Sequence, residues 1–282
     1  MKSWTVIPAM GVLSAAAVIA VTRDPFAIGA AGLAGAALAG AVRALSGDAP
    51  ASLVAAALVP LLVLASFAEH QLVALTPCLS IAAIAWTVIE LSRATKSPLV
   101  AMLPAAIAAV LDPAAVALFM IAGARLVTAP WNRPRWAIAM PIAGGLAVML
   151  AVIAGGASDG SLGALGLRWF GPAHVIDAPA LASNLGSSLG PLTAVAAIAG
   201  LALIAKLRLA EVAIATCAVG ALLVDLRAGH TGAATLGIAG LAAALAIGRF
   251  AQTIRMPPLQ AVAGATVAMM LLLPSAWTVI SR

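Results

Sequence analysis

Residues 98–128 read PLVAMLPAAIAAVLDPAAVALFMIAGARLVT, and the fold turns on what happens at Asp112-Pro113. As one long helix the stretch would carry a carboxylate at its centre. As two, spans at 97–111 and 113–128 meet at that dipeptide. Local chemistry favours two. An Asp side chain accepts hydrogen bonds from the free N–H groups that open a helix. A Pro at the first helical position lacks an N–H that would have had no partner there.

The basic residues make the same choice. Apolar spans can be drawn at about 3–22, 25–43, 50–68, 71–90, 97–111, 113–128, 136–156, 189–205, 209–225, 231–248 and 258–280. Placing their connections alternately on two sides puts 11 Lys and Arg with the N-terminus and 4 opposite, and fusing the central pair reduces that split to 7 against 8. Short loops rich in Lys and Arg stay in the cytoplasm, so a bias this strong belongs to the correct topology. The expectation is an all-α, polytopic membrane helix bundle. It is a single transmembrane domain over residues 1–282 with about 11 transmembrane helices, N-terminus in and C-terminus out.

Composition agrees. Hydrophobic residues make up 64% of the chain and charged residues 9%, against roughly 45–50% and 25% in soluble domains. The net charge of +6 is the cytoplasmic loop excess. No basic run is interleaved with aromatics, so nucleic acid is excluded as a partner. Cys78 and Cys217 both fall inside spans, which disfavours a disulfide. Lys2 and the Ala-rich stretch after it have the look of a signal peptide. No clear small-x-small site precedes Thr22, however, so the first helix is expected to be retained. Abundant Ala and Gly with no Tyr point to a bacterial source, and the expected location is the inner membrane, with lipids as partners.

The longest connection, 157–188, is expected outside. It holds Asp159, Arg168, Trp169, Phe170, His174 and Asp177, and reads equally as a lid or as a plain covering loop. Small residues crowd two spans, Gly29, Gly32, Gly35 and Gly40 in one and Gly240, Ala244 and Gly248 in another. Such faces let helix backbones approach closely. Trp131 and Trp136 flank Arg133-Pro134-Arg135 as interfacial anchors.

Candidate chemistry gathers on the outer side. Six of the nine acids fall there (Asp24, Glu69, Asp112, Asp159, Asp177 and Asp225), with all three histidines, His70, His174 and His230. Such a cluster suits a general base or a divalent metal; solvated outer loops also need polar residues. Glu69-His70 pairs an acid with a titratable imidazole at one helix end. Asp112, His174 and Asp177 are the candidates for contacting a substrate, although helix capping accounts fully for Asp112. No metal-ligand spacing, phosphate-cradling loop or nucleophile elbow is present, and no cofactor is evident beyond that metal. Glu90 and Glu211 lie near Arg93 and Arg208 and read as interfacial partners, which leaves the span interiors nearly clean of charge.

The order of elements resembles the membrane core of GT-C-type glycosyltransferases. The similarity runs over roughly residues 25–190: the small-residue helix ending at Val42-Arg43-Ala44-Leu45, the helix Ala51 to Ala68 with its polar end Glu69-His70, and the helix ending Glu90-Leu91-Ser92-Arg93. The hairpin from Leu103-Pro104-Ala105 to Asp112-Pro113, the basic loop Arg133 to Arg135 and a long outer loop follow. The resemblance implies an enzyme using polyprenyl-phosphate-linked sugars at the outer face. Asp24 would then be its base or metal-binding carboxylate, supported by Glu69 and His70. The family carries its essential carboxylate in a long first outer loop, which here shrinks to Thr22-Arg23-Asp24-Pro25. A reduced, non-catalytic relative fits that departure. So does a structural or accessory subunit completed by other membrane chains, and a small transporter is the third class.

Overall fold

The computed structural model describes residues 6–19, 25–46, 75–93, 98–128, 177, 179–183, 191–203, 209–228 and 232–254, with isolated positions between 256 and 270. Among them all regular structure is helical: α1 Val6–Ile19, α2 Pro25–Ser46, α3 Leu75–Ser92, α4 Pro98–Leu111, a 3-10 turn Pro113–Ala115, α5 Val116–Thr128, α6 Pro191–Leu203, α7 Leu209–Ala228 and α8 Ala233–Gln252. These bounds fall close to the apolar spans drawn from the sequence. The spans 50–68 and 136–156, most of 258–280 and most of the 157–188 connection lie outside the described residues. One helix, Pro25–Leu45, is long and apolar enough to cross a membrane by length and composition, and Cys78–Ser92, Val100–Leu111, Pro113–Arg125 and Ala234–Ile247 are shorter apolar helices.

The stretch 98–128 is two helices. α4 stops at Leu111, Asp112 is extended (φ −146°, ψ 119°), and the 3-10 turn starts at Pro113 and leads into α5. The two limbs pack on each other. The Arg125 guanidinium, near the end of α5, meets the carbonyls of residues 90–93, just before α4 begins. The chain therefore turns back on itself at Asp112.

α3 sits at the centre and packs against α2, α4, α7 and α8, while α1 lies on α2 and α6 on α8. One core cluster runs through six helices and includes Leu38, Ile84, Val88, Met102, Leu118, Ile214 and Leu241. Small residues bring the backbones together. A Cβ on Gly11 would stand 3.0 Å from the Gly32 carbonyl oxygen, so α1 and α2 cross on a glycine pair. A Cβ on Gly200 would collide with the Ala242 carbonyl, where α6 meets α8. Each Gly costs a helix about 1 kcal/mol relative to Ala; close packing between backbones offsets that cost. Gly29 faces open space and has no such role.

Candidate functional site

Asp112 is where the sequence placed a cap. The residue is fully buried, at 0% exposure. Its backbone N–H donates to the Ala108 carbonyl at 2.8 Å and so completes α4. Its Oδ1 accepts from the Ala114 N–H at 3.0 Å, and its carbonyl accepts from the Ala115 N–H at 2.9 Å. One aspartate thus closes one helix and opens the next. The apex it shapes rests against α7: the Cys217 thiol donates to the Ala114 carbonyl at 3.6 Å, and a Cβ on Gly220 would lie 3.2 Å from the same oxygen.

Asp177 does what its sequence, Asp-Ala-Pro, indicates. It is exposed, and its Oδ1 accepts from the Ala180 N–H at 2.9 Å at the start of the short helical stretch 179–183. Asp24, Glu69, His70 and His174 lie outside the described residues, as do Asp159 and His230.

Two polar clusters emerge that the sequence did not resolve. Asp225, counted among the outer acids, is only 2% exposed. Its Oδ1 accepts from the Gly232 N–H at 2.9 Å and its Oδ2 accepts from the Thr235 hydroxyl, so the end of α7 caps the start of α8. A carboxylate seven residues before the group it caps has no short sequence signature.

The second cluster joins Glu90, Arg93 and Arg125. Glu90 Oε1 pairs with Arg93 Nη1 at 3.1 Å, as the sequence indicated. Glu90 is buried, and its Oε2 has no hydrogen-bond partner among the described residues. Arg125 was legible only as a cytoplasmic charge. Its guanidinium donates to the carbonyls of Glu90 (3.3 Å), Leu91 (3.1 Å) and Arg93 (3.1 Å), which are the open acceptors at the end of α3. A cation there also meets the negative end of the helix dipole.

Between α2, α3, α5, α7 and α8 lies an apolar gap of about 10 Å³, lined by Leu38, Ile84, Val88, Leu118, Ile214 and Leu241 among others. It offers room for at most one water and no polar partners to hold it. No group of three or more potential metal-ligating side chains occurs among the described residues. Cys78 and Cys217 are buried and free. No protein-family model, no curated protein and no solved structure matches the chain.

Proposed function

We propose that this chain is a multi-pass protein of a bacterial inner membrane with its N-terminus in the cytoplasm. In this reading its helices act as a scaffold subunit that packs against lipid and other membrane chains. The observation that carries the reading is the set of large apolar side chains left exposed on several helices. Ala is the commonest core residue, beside buried Leu, Ile, Val and Met, while Leu103 is 61% exposed, Met120 66%, Ile198 68% and Leu223 61%. Apolar surface spread over so many helices suits hydrocarbon and not water. The Lys and Arg asymmetry sets the orientation.

The scaffold part rests on what four of the described carboxylates do. Asp112, Asp177 and Asp225 each accept hydrogen bonds that open a helix, and Glu90 pairs with Arg93. The competing reading is a GT-C-like enzyme acting on polyprenyl-phosphate-linked sugars. It is favoured by the shared element order, the short hairpin at 98–128 included, and rests on Asp24, Glu69 and His70.

Complementation of a deletion strain separates the two. The scaffold reading expects full rescue by Asp24→Asn, Glu69→Gln and His70→Gln, each present in the membrane at normal levels. General acid–base groups contribute about 10²–10⁴-fold. A loss of function on that scale in Asp24→Asn, with insertion unchanged, would replace the scaffold by the enzyme.

A further inference from the structure

We propose that residues 98–128 form a re-entrant hairpin: it enters and leaves on the cytoplasmic side, and its apex at Asp112-Pro113 stops near the middle of the bilayer, held there by α7. The inference rests on the multi-pass reading above and replaces two of its crossings with a half-depth loop.

Three observations carry it. The first is length. α4 has 14 residues; at a rise of ~1.5 Å each it is about 21 Å long. Hydrocarbon is about 30 Å thick, so α4 alone does not reach the far side, and α5, with 13 residues, is shorter still. The second is where the limbs end. Arg125, near the end of α5, binds the carbonyls of residues 90–93 at the end of α3, five positions before Pro98 opens α4. The end of α5 therefore lies beside the end of α3, and the sequence that follows each is rich in Lys and Arg. The third is where the apex sits. Ala114 meets Cys217 and Gly220, the ninth and twelfth of the 20 residues of α7. The apex is level with the middle of α7 and far from its Asp225 end.

Interrupted helix inside hydrocarbon is tolerated only where protein covers it and its polar groups find partners. Here they do. Asp112 is fully buried, the Ala114 and Ala115 N–H groups are bonded within the turn, and the Ala114 carbonyl receives the Cys217 thiol. Gly220 leaves the space that lets the turn lie against α7. The position of Asp112 then has a physical reason. A carboxylate carried inside the turn supplies, at a depth without water, the acceptor that a surface cap could share with solvent. The re-entrant path also preserves the charge split, because entering and leaving on one side keeps every later loop where two full crossings would put it.

Depth can be read directly. Single nitroxide labels at Val100, Leu103, Ile107, Leu111 and Met120 in the full chain, reconstituted in liposomes, report collision with oxygen, which concentrates at the bilayer centre. They also report collision with a water-soluble nickel chelate, which is excluded there. Labels at Val212, Val219 and Leu223 give the depth profile of α7, against which the apex packs, and Val116 substitutes for Leu111 if a label there disturbs folding. The re-entrant hairpin predicts that the oxygen-to-nickel ratio rises continuously from Val100 to Leu111, reaches the value at Val219, and falls again at Met120. A ratio that peaks at Leu103 or Ile107 and has fallen by Leu111 would show two complete crossings and overturn the inference. If no position on α7 shows an excess of oxygen over nickel, the membrane reading itself fails, and the inference with it.

Discussion

At Asp112 the carboxylate and the helix it opens are neighbours in the chain, so the sequence Asp-Pro is enough to place the break. At Asp225 the same chemistry is done across a turn, on Gly232 and Thr235, and nothing in the local sequence announces it. Both are buried, which sets the cost of removing them. Asp112→Ala leaves the buried Ala114 N–H without its acceptor and is expected to destabilise the purified protein by about 1–3 kcal/mol. Asp112→Asn retains an acceptor oxygen and should cost less, since Asn caps nearly as well as Asp. Thermal unfolding in detergent measures both, and equal tolerance of the two would show that the cap contributes nothing. For Asp225 a double-mutant cycle with Thr235→Val is the sharper test. Groups in one hydrogen-bond network couple by about 0.5–3 kcal/mol, so additive losses would mean that the pair does not interact.

Whole helices are positioned by contacts of two kinds, small residues and captured helix ends. Gly200 is the tightest of the first kind. Adding a methyl there drives a Cβ into the Ala242 carbonyl and forces α6 away from α8. Gly200→Ala is expected to cost about 1–3 kcal/mol, whereas Gly29→Ala meets nothing and should be neutral or stabilising by up to about 1 kcal/mol from helix propensity. If both substitutions shift unfolding alike, the α6–α8 approach is not as close as described. Arg125 exemplifies the second kind. Arg125→Gln removes the charge from the end of α3 and shortens its reach, so α3 should fray at residues 90–93. Faster amide hydrogen exchange there, with the middle of α3 unchanged, is the expected signature. Sequence made the helices themselves legible because apolar spans and Pro positions are local signals. The Arg125 contact was not, because it joins positions 32 to 35 residues apart. The burial of Asp112 was missed for a related reason: a cap can be recognised from two adjacent residues, but not the α7 surface that covers it. Asp24, Glu69, His70 and His174 were chosen on charge and sidedness alone and lie outside the described residues.

For the molecule as a whole, the proposed membrane reading rests on two patterns. One is the Lys and Arg asymmetry, written in the connections. The other is the set of large apolar side chains left exposed on the helices. Neither depends on an enzymatic assignment, and the Lys and Arg asymmetry requires the loops at Asn132 and Ser161 to lie on opposite sides of one membrane. Single cysteines at these two positions, with Cys78 and Cys217 replaced by Ala, report this directly when intact cells or spheroplasts are treated with a membrane-impermeant maleimide. The account predicts labelling at position 161 and none at 132 until the membrane is opened. Labelling at 132 from outside, or equal labelling of both before lysis, would contradict it.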